Sequence, residues 1–252
     1  MVVLTGAAGI IGTEVTRVFL EAGARVFAID REAELLEHKL GAAHASLMTY
    51  AADVARTDSL QQAWALLEAK WGIPHALLNN AATKSDNFFE PFESFPLGDW
   101  NEVMAVNLTG AMLCAQVFGG PMAQRGGGSI VNTLSIYGIV APDQRIYEGS
   151  QYLGRAINTP AIYAASKAGL WGLTKYLASY WGHRGVRVNA VTPGGVFSGQ
   201  NDTFVGNYSK RTPLGRMAQA DDMANAMRYL ASDAAKYVTG HNLVVDGGWT
   251  VW

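Results

Sequence analysis

Val2-Val3-Leu4 opens the chain as an apolar run, and apolar residues at helical spacing follow over residues 14–22 until Gly23 stops them. The same alternation then recurs. Arg25-Val26-Phe27-Ala28-Ile29 reads as a second strand, followed by a polar helix over residues 33–40. Further strands are predicted at 46–51, 75–79, 128–133, 187–191 and 241–245, with longer helices at 59–71, 99–122, 161–183 and 221–230. Short β-rich runs alternating with helices predict an α/β fold, a doubly wound, mostly parallel sheet with helices on both faces. No linker, charge block or internal repeat divides the chain, so residues 1–252 read as a single domain.

Two stretches interrupt this rhythm. Residues 139–160 hold two prolines and no clear period, and residues 194–217 are rich in Gly, Asn, Ser and Thr. Loops of this length in one domain are usually lids or binding loops. Both follow predicted strands at the carboxyl side of the sheet, where open α/β folds bind ligands.

Composition narrows the classes. With 49% hydrophobic and 16% charged residues the chain can bury a sizeable core. A formal charge of −2 leaves no electrostatic footprint for nucleic acid or an anionic membrane. No apolar run is read as reaching the roughly 18 residues of a membrane span, and the first residues do not read as a signal peptide. The single cysteine, Cys114, cannot form an internal disulfide, which fits a reducing, cytoplasmic setting, and it reads as a core residue. The five histidines are scattered, and no cluster has metal-ligand spacing.

Thr5-Gly6-Ala7-Ala8-Gly9-Ile10-Ile11-Gly12 lies between the first strand and the first helix. Glycines here let the backbone turn tightly and approach a pyrophosphate, which helix N-terminal amides then face. Asp30 at the end of the second strand can accept hydrogen bonds from ribose hydroxyls and would repel a 2′-phosphate, favouring NAD over NADP. Arg31 beside it could instead cradle such a phosphate. Asp53-Val54 follows the third strand, where Asp53 reads either as an adenine contact or as a turn aspartate.

Tyr163 and Lys167 are four apart on a predicted helix and project from one face. A free phenol has a pKa near ~10 and is a poor acid–base catalyst at neutral pH. A neighbouring ammonium favours the phenolate and brings that value toward the working range. In the same register stand Asn79-Asn80-Ala81-Ala82, Asn107 in a helix, Ser135 after Ile130-Val131-Asn132-Thr133-Leu134, Pro193-Gly194-Gly195 and Asp246-Gly247-Gly248. Over nearly its whole length the chain resembles the short-chain dehydrogenase/reductase family in its single-domain form.

That resemblance implies a Rossmann fold and an oxidoreductase that interconverts a secondary alcohol and a ketone with NAD. Tyr163 would be the general acid in reduction and the general base in oxidation. Lys167 would lower the phenol's pKa and bind the nicotinamide ribose, and Ser135 would hold the substrate oxygen. Asn107 would hold a water linking Lys167 to solvent. Ser135 could otherwise be a strand-end turn residue, and Asn107 a kink or packing amide. Gly6, Gly9, Ile11, Gly12, Asn80 and Ala81 would line the cofactor. Gly194, Val196 and Ser198 belong to a loop similar to the family's nicotinamide clasp.

Three departures from the family pattern stand out. The Thr-Gly-x-x-Gly-x-x-Gly turn is similar to that of longer, sugar-nucleotide-modifying members, and Ala82 replaces a glycine. Ser135 and Tyr163 are separated by 28 positions, more than the family's usual gap, and the surplus is the segment 139–160. Asp143, Arg145, Tyr147, Glu148 and Gln151 there offer hydrogen bonds suited to a polyol, or else form an exposed loop or a subunit contact. Lys210 and Arg211 in the second stretch would meet an anionic group or belong to a solvated lid. The polar insertion and the aromatics, seven Trp and ten Tyr, point to a sugar, sugar acid or cyclitol. The insertion, residues 211–217 and the Asp-Gly-Gly-Trp ending also look like members from bacterial surface-sugar pathways. The competing readings are a 3-oxoacyl-type reductase, an epimerase or dehydratase with tightly held NAD, and a non-catalytic NAD-binding regulator. The helices at 99–122 and 161–183 carry surplus apolar surface, and the resemblance implies that they form the interface of a homodimer or homotetramer.

Overall fold

Strand side chains point alternately to the two sheet faces, and here both faces are apolar. In a computed structural model of the protein, which describes residues 1–152 and 154–252, seven strands form one parallel sheet. They are β1 (Val2–Thr5), β2 (Val26–Asp30), β3 (Leu47–Ala51), β4 (Ala76–Asn79), β5 (Gly128–Thr133), β8 (Val186–Pro193) and β9 (Asn242–Val245). Their spatial order is β3-β2-β1-β4-β5-β8-β9, and each neighbouring pair is parallel. This is the Rossmann arrangement, with its order reversing between β1 and β4. A small antiparallel pair, β6 (Gln151–Tyr152) and β7 (Arg155–Ala156), lies in the insertion.

Two cores sandwich the sheet. Val2, Leu4, Val26 and Ala28 pack on one face against α1 (Ile10–Glu21) and α7 (Ala220–Ala231). Val3, Phe27, Ile29 and Leu77 pack on the other against α3 (Thr57–Trp71), α4 (Leu97–Arg125) and α5 (Ala161–Gly182). The short α2 (Ala33–Leu40) follows β2. Fully burying a side chain such as Phe27 contributes about 1.5–3 kcal/mol, so the alternating apolar residues hold the strand between the two helical layers.

The structure corrects two expectations here. α4 is 29 residues long and apolar enough to cross a membrane by length and composition, contrary to the reading of the sequence. Its apolar stripe, including Cys114, Phe118 and Met122, is packed on the sheet. Two turns of this helix, Ala105–Gly110 and Ala115–Gly119, are wound as π-helix, a device frequent near functional sites. Second, the stretch 194–217 is not all loop: α6 (Asp202–Arg211) lies inside it, capped by the Asn201 side chain, which accepts from the Phe204 N–H at 2.9 Å.

A third, smaller cluster joins the insertion to this helix. Ile136, Ile146, Phe204, Tyr208, Met217 and Trp249 are its buried members. Tyr208 stacks on Trp249 with ring centroids 4.2 Å apart, and Arg211 lies over the same indole at 4.9 Å. Asp143 in the insertion pairs with both Arg211 and Arg145.

Candidate active site

The glycine turn after β1 is held by packing before it meets any ligand. Gly6 has φ +66, and a Cβ on it would lie 2.8 Å from Ala81 Cα. A Cβ on Gly12 would lie 2.1 Å from the Gly6 carbonyl oxygen. The Thr5 hydroxyl accepts from the N–H groups of Asn80 and Ala81 at 3.1 and 3.2 Å, and Asn80 Nδ2 donates to the Gly6 carbonyl at 3.1 Å. The turn and the end of β4 are therefore one unit. Gly9 is the N-cap of α1 and offers no side-chain cap to that helix's first amides.

A cavity of about 680 Å³ runs along this unit, and Gly6, Gly9, Ile11, Asn80 and Ala81 line it. Asp30, Arg31, Asp53 and Val54 stand at one end, and Tyr163, Val196 and Ser198 at the other. The Asp30 carboxylate accepts from the Ala8 N–H at 3.0 Å and the Arg31 N–H at 2.8 Å, which fixes its direction. Arg31 is exposed and lies 3.7 Å from Glu32. Asp53 is a turn aspartate, accepting from the Ala55 N–H at 2.9 Å, and it also lines the cavity. Gly12 does not reach this wall; its place beneath the Gly6 carbonyl is its role.

A second cavity, about 400 Å³, adjoins the first and shares Ile11, Asn80, Tyr163, Val196 and Ser198 with it. Ser135, Tyr147, Lys167 and Gly194 also line it. Tyr163 thus stands where the two meet. Its ring packs edge-on against Phe88 at 6.2 Å. Burial raises the Tyr163 phenol above the usual range, while a hydrogen bond with Ser135 pulls it down. Lys167 is buried, and its Nζ donates to the Thr133 carbonyl at 2.7 Å, 5.8 Å from the Tyr163 ring centre. Desolvation lowers its ammonium to about 8. The sequence reading has Lys167 lowering the phenol; here burial dominates at both groups, pushing each toward its neutral form.

Asn107 sits in the first π-helical turn of α4, buried, and lines neither cavity. Its Oδ1 accepts from the Thr83 N–H at 3.0 Å and its Nδ2 donates to Ser166 Oγ at 3.2 Å, one position before Lys167. Asn79 and Asn132 bond each other at 2.9 Å, and Asn132 donates to Thr174 at 2.9 Å, tying β4, β5 and α5 together beneath the site.

Three residues expected at the substrate are not on its wall. Glu148 and Gln151 are exposed, since their stretch turns outward over α6, where Asn201 donates to the Gln151 carbonyl at 3.2 Å. Arg211 is drawn away by Asp143 and Trp249. In their place stand Tyr137, Asn158, Thr159, Phe204, Tyr208 and Met217, which the sequence reading did not single out. Lys84 and Phe89 complete the rim, with the Lys84 ammonium 5.5 Å from the Phe89 ring centre. Tyr137 and Thr159 carried a signal, as one lies just before the insertion and the other near its end, between Ser135 and Tyr163. Among the described residues no cluster of His, Cys, Asp and Glu could hold a metal ion.

Known proteins share the sequence and the fold of this chain. Residues 6–250 match a family model described as enoyl-(acyl carrier protein) reductase. A D-threitol dehydrogenase of Mycolicibacterium smegmatis is 37% identical, covering 98% of this chain and 92% of its own length. A galactitol 2-dehydrogenase (L-tagatose-forming) of Cereibacter sphaeroides is also 37% identical, covering 99% of this chain and 94% of its own. Among solved structures, a short chain dehydrogenase from Leptospira borgpetersenii with bound NAD+ superposes with a TM-score of 0.87 at 36% identity, covering 99% of this chain and 92% of that one.

Proposed function

Because the chain belongs to the short-chain dehydrogenase/reductase family, we propose that it oxidises a secondary alcohol of a polyol, sugar or sugar acid to the ketone, reversibly, using NAD. The observation that carries this reading is the position of Tyr163 on the wall common to both cavities, with Ser135 on the smaller one. A substrate oxygen there is within reach of a phenol and a serine hydroxyl at once. The polyol relatives support the substrate class, and a 3-oxoacyl chain, the alternative within the family, suits the tyrosine- and threonine-bearing wall less well.

The residues divide the work. NAD, when bound, supplies the hydride acceptor. Gly9, with the α1 amides, faces its pyrophosphate; Asp30 accepts from the adenosine ribose; Asp53 and Val54 flank the adenine; Gly194, Val196 and Ser198 clasp the nicotinamide. Tyr163 takes the alcohol proton in oxidation and returns it in reduction, Ser135 orients the oxygen, and Lys167 steadies the charge on the phenol and holds the nicotinamide ribose. Asn107 positions Lys167 through Ser166 and the π-helical turn. The fixed Asp30 carboxylate supports NAD over NADP. Residues 1–252 act as one domain, in the cytoplasm, as a homodimer or homotetramer; the exposed Tyr176 and Tyr180 on α5, stacked 5.6 Å apart, support a subunit contact.

The test is a panel of tetritols, hexitols and aldonates, with NADH or NADPH formation as the readout. Turnover with NAD exceeds that with NADP at least ~10-fold, and Asp30→Ala narrows the difference by removing an acceptor and a repulsive charge. Inactivity across the panel, or a preference for NADP, refutes the corresponding part.

The pH dependence follows from the buried Tyr163 phenol. Tyr163 has a raised pKa and must be deprotonated to act as a base, so oxidation accelerates as pH rises above neutral. Reduction uses the phenol, already protonated at neutral pH, so its rate is highest at lower pH and declines as oxidation gains. Initial rates in both directions from slightly acid to alkaline pH check this; coincident optima would contradict it.

A further inference from the structure

The hydroxyl groups on the smaller cavity form a chain. The Tyr147 phenol donates to the Tyr137 phenol at 3.3 Å and shares a short hydrogen bond with Thr159 Oγ1. A hydroxyl has one proton to donate. Since Tyr147 gives its proton to Tyr137, the bond between Tyr147 and Thr159 is donated by Thr159. The proton this chain leaves unspent is that of Tyr137. All three residues line the cavity that Ser135 and Tyr163 also line.

The chain is fixed from both ends. Gln144 clamps the main chain of Thr159, donating to its carbonyl at 3.0 Å and accepting from its N–H at 3.4 Å. The Tyr147 ring is stacked on Phe204, 5.5 Å between centroids. At the other end the Tyr137 N–H donates to Ser135 Oγ at 3.2 Å, so this phenol is carried two residues from the serine. Burial raises both phenols above their ordinary range, which keeps them neutral donors.

We propose that Tyr137 is a specificity-determining residue: its phenol donates a hydrogen bond to the hydroxyl on the carbon next to the one oxidised, so the enzyme selects vicinal diols over isolated alcohols. The inference rests on the reading of Tyr163 as the acid–base residue. With one oxygen held at Tyr163 and Ser135, a fixed donor nearby on the same wall suits the adjoining oxygen. In the ketone product that oxygen remains a hydroxyl and accepts the same bond. A substrate lacking it leaves a desolvated donor unpaired, which discriminates far more strongly than a missing methylene.

The experiment compares kcat/KM for butane-2,3-diol and butan-2-ol at saturating NAD, in wild type, Tyr137→Phe and Tyr147→Phe. Wild type prefers the diol by at least ~10-fold, and Tyr137→Phe removes most of that preference. Tyr147→Phe keeps the Tyr137 donor and retains the greater part of it. A diol-to-monoalcohol ratio unchanged in Tyr137→Phe, or lost equally in Tyr147→Phe, overturns the inference. So does a wild-type enzyme that oxidises the polyol panel yet shows no preference for this diol or no turnover of it, and that result leaves the reading of Tyr163 standing. Inactivity on the whole panel removes both.

Discussion

Tyr163→Phe lowers kcat for alcohol oxidation by about 10³–10⁴-fold, the upper range for loss of a positioned general base, while KM for NAD changes little. The substitution removes one oxygen and keeps the ring, so packing against Phe88 persists and the fold is spared. What disappears is, among the described residues, the one titratable oxygen on the wall shared by the two cavities. Ser135 cannot replace it, because a serine hydroxyl accepts a proton far less readily than a phenolate. Single-turnover NADH formation, alongside an unchanged circular-dichroism spectrum, reads the effect. Activity within tenfold of wild type would mean that the proton leaves by another route.

Gly12→Ala produces a large structural loss for a single added methyl group. Its Cβ would stand 2.1 Å from the Gly6 carbonyl oxygen and 2.7 Å from Ala7 Cα, and both are backbone atoms with no rotamer to yield. Either the turn opens or α1 moves away from β1. The first breaks the contacts that join Gly6 to Asn80 and Ala81; the second disturbs the core built on Val15 and Phe19. Overpacking of this kind costs about 1–3 kcal/mol and more when backbone must give. NAD affinity falls with it, since the cradle's shape is what is lost. A denaturant melt and an NAD titration followed by fluorescence measure the two effects. At Gly9 the same methyl would stop 3.3 Å from the Gly6 carbonyl, so Gly9→Ala leaves the melt much closer to wild type. A Gly12→Ala protein as stable as wild type would show that the turn has slack.

The sheet was legible in the sequence because burial on both faces forces short, near-continuous apolar strands such as Val26–Asp30, too short for a helix and recurring in alternation with helical stretches. The helix Asp202–Arg211 was not, because Gly206, Asn207 and Ser209 are weak helix formers and its stability comes from tertiary packing of Phe204 and Tyr208. The π-helical turns of α4 leave no mark in apolar spacing. At the site, Ser135, Tyr163 and Lys167 were singled out by their register in the family pattern, and strand end and helix face bring all three to one cavity. Glu148, Gln151 and Arg211 were nominated for their polarity alone. Outside regular structure nothing in the sequence says which way a side chain points, and the pairing of Asp143 with Arg211 is a tertiary event. Tyr137 was overlooked for the same reason, although it lies two residues beyond Ser135.

The third cluster has a bearing on how such a chain can change over generations. Ile136, Ile146, Phe204, Tyr208, Met217 and Trp249 share no buried member with the two cores that clad the sheet. Substitutions in it therefore fall first on the wall of the smaller cavity and leave the two sheet cores untouched, Tyr208 being the one member that also holds the neighbouring loop, by accepting from the Gly195 N–H. A lineage could exchange the contents of this cluster, and with them the molecules it accepts, without first acquiring stabilising changes elsewhere. The division of the interior makes selectivity a separately mutable trait, inherited alongside a hydride-transfer apparatus that need not alter.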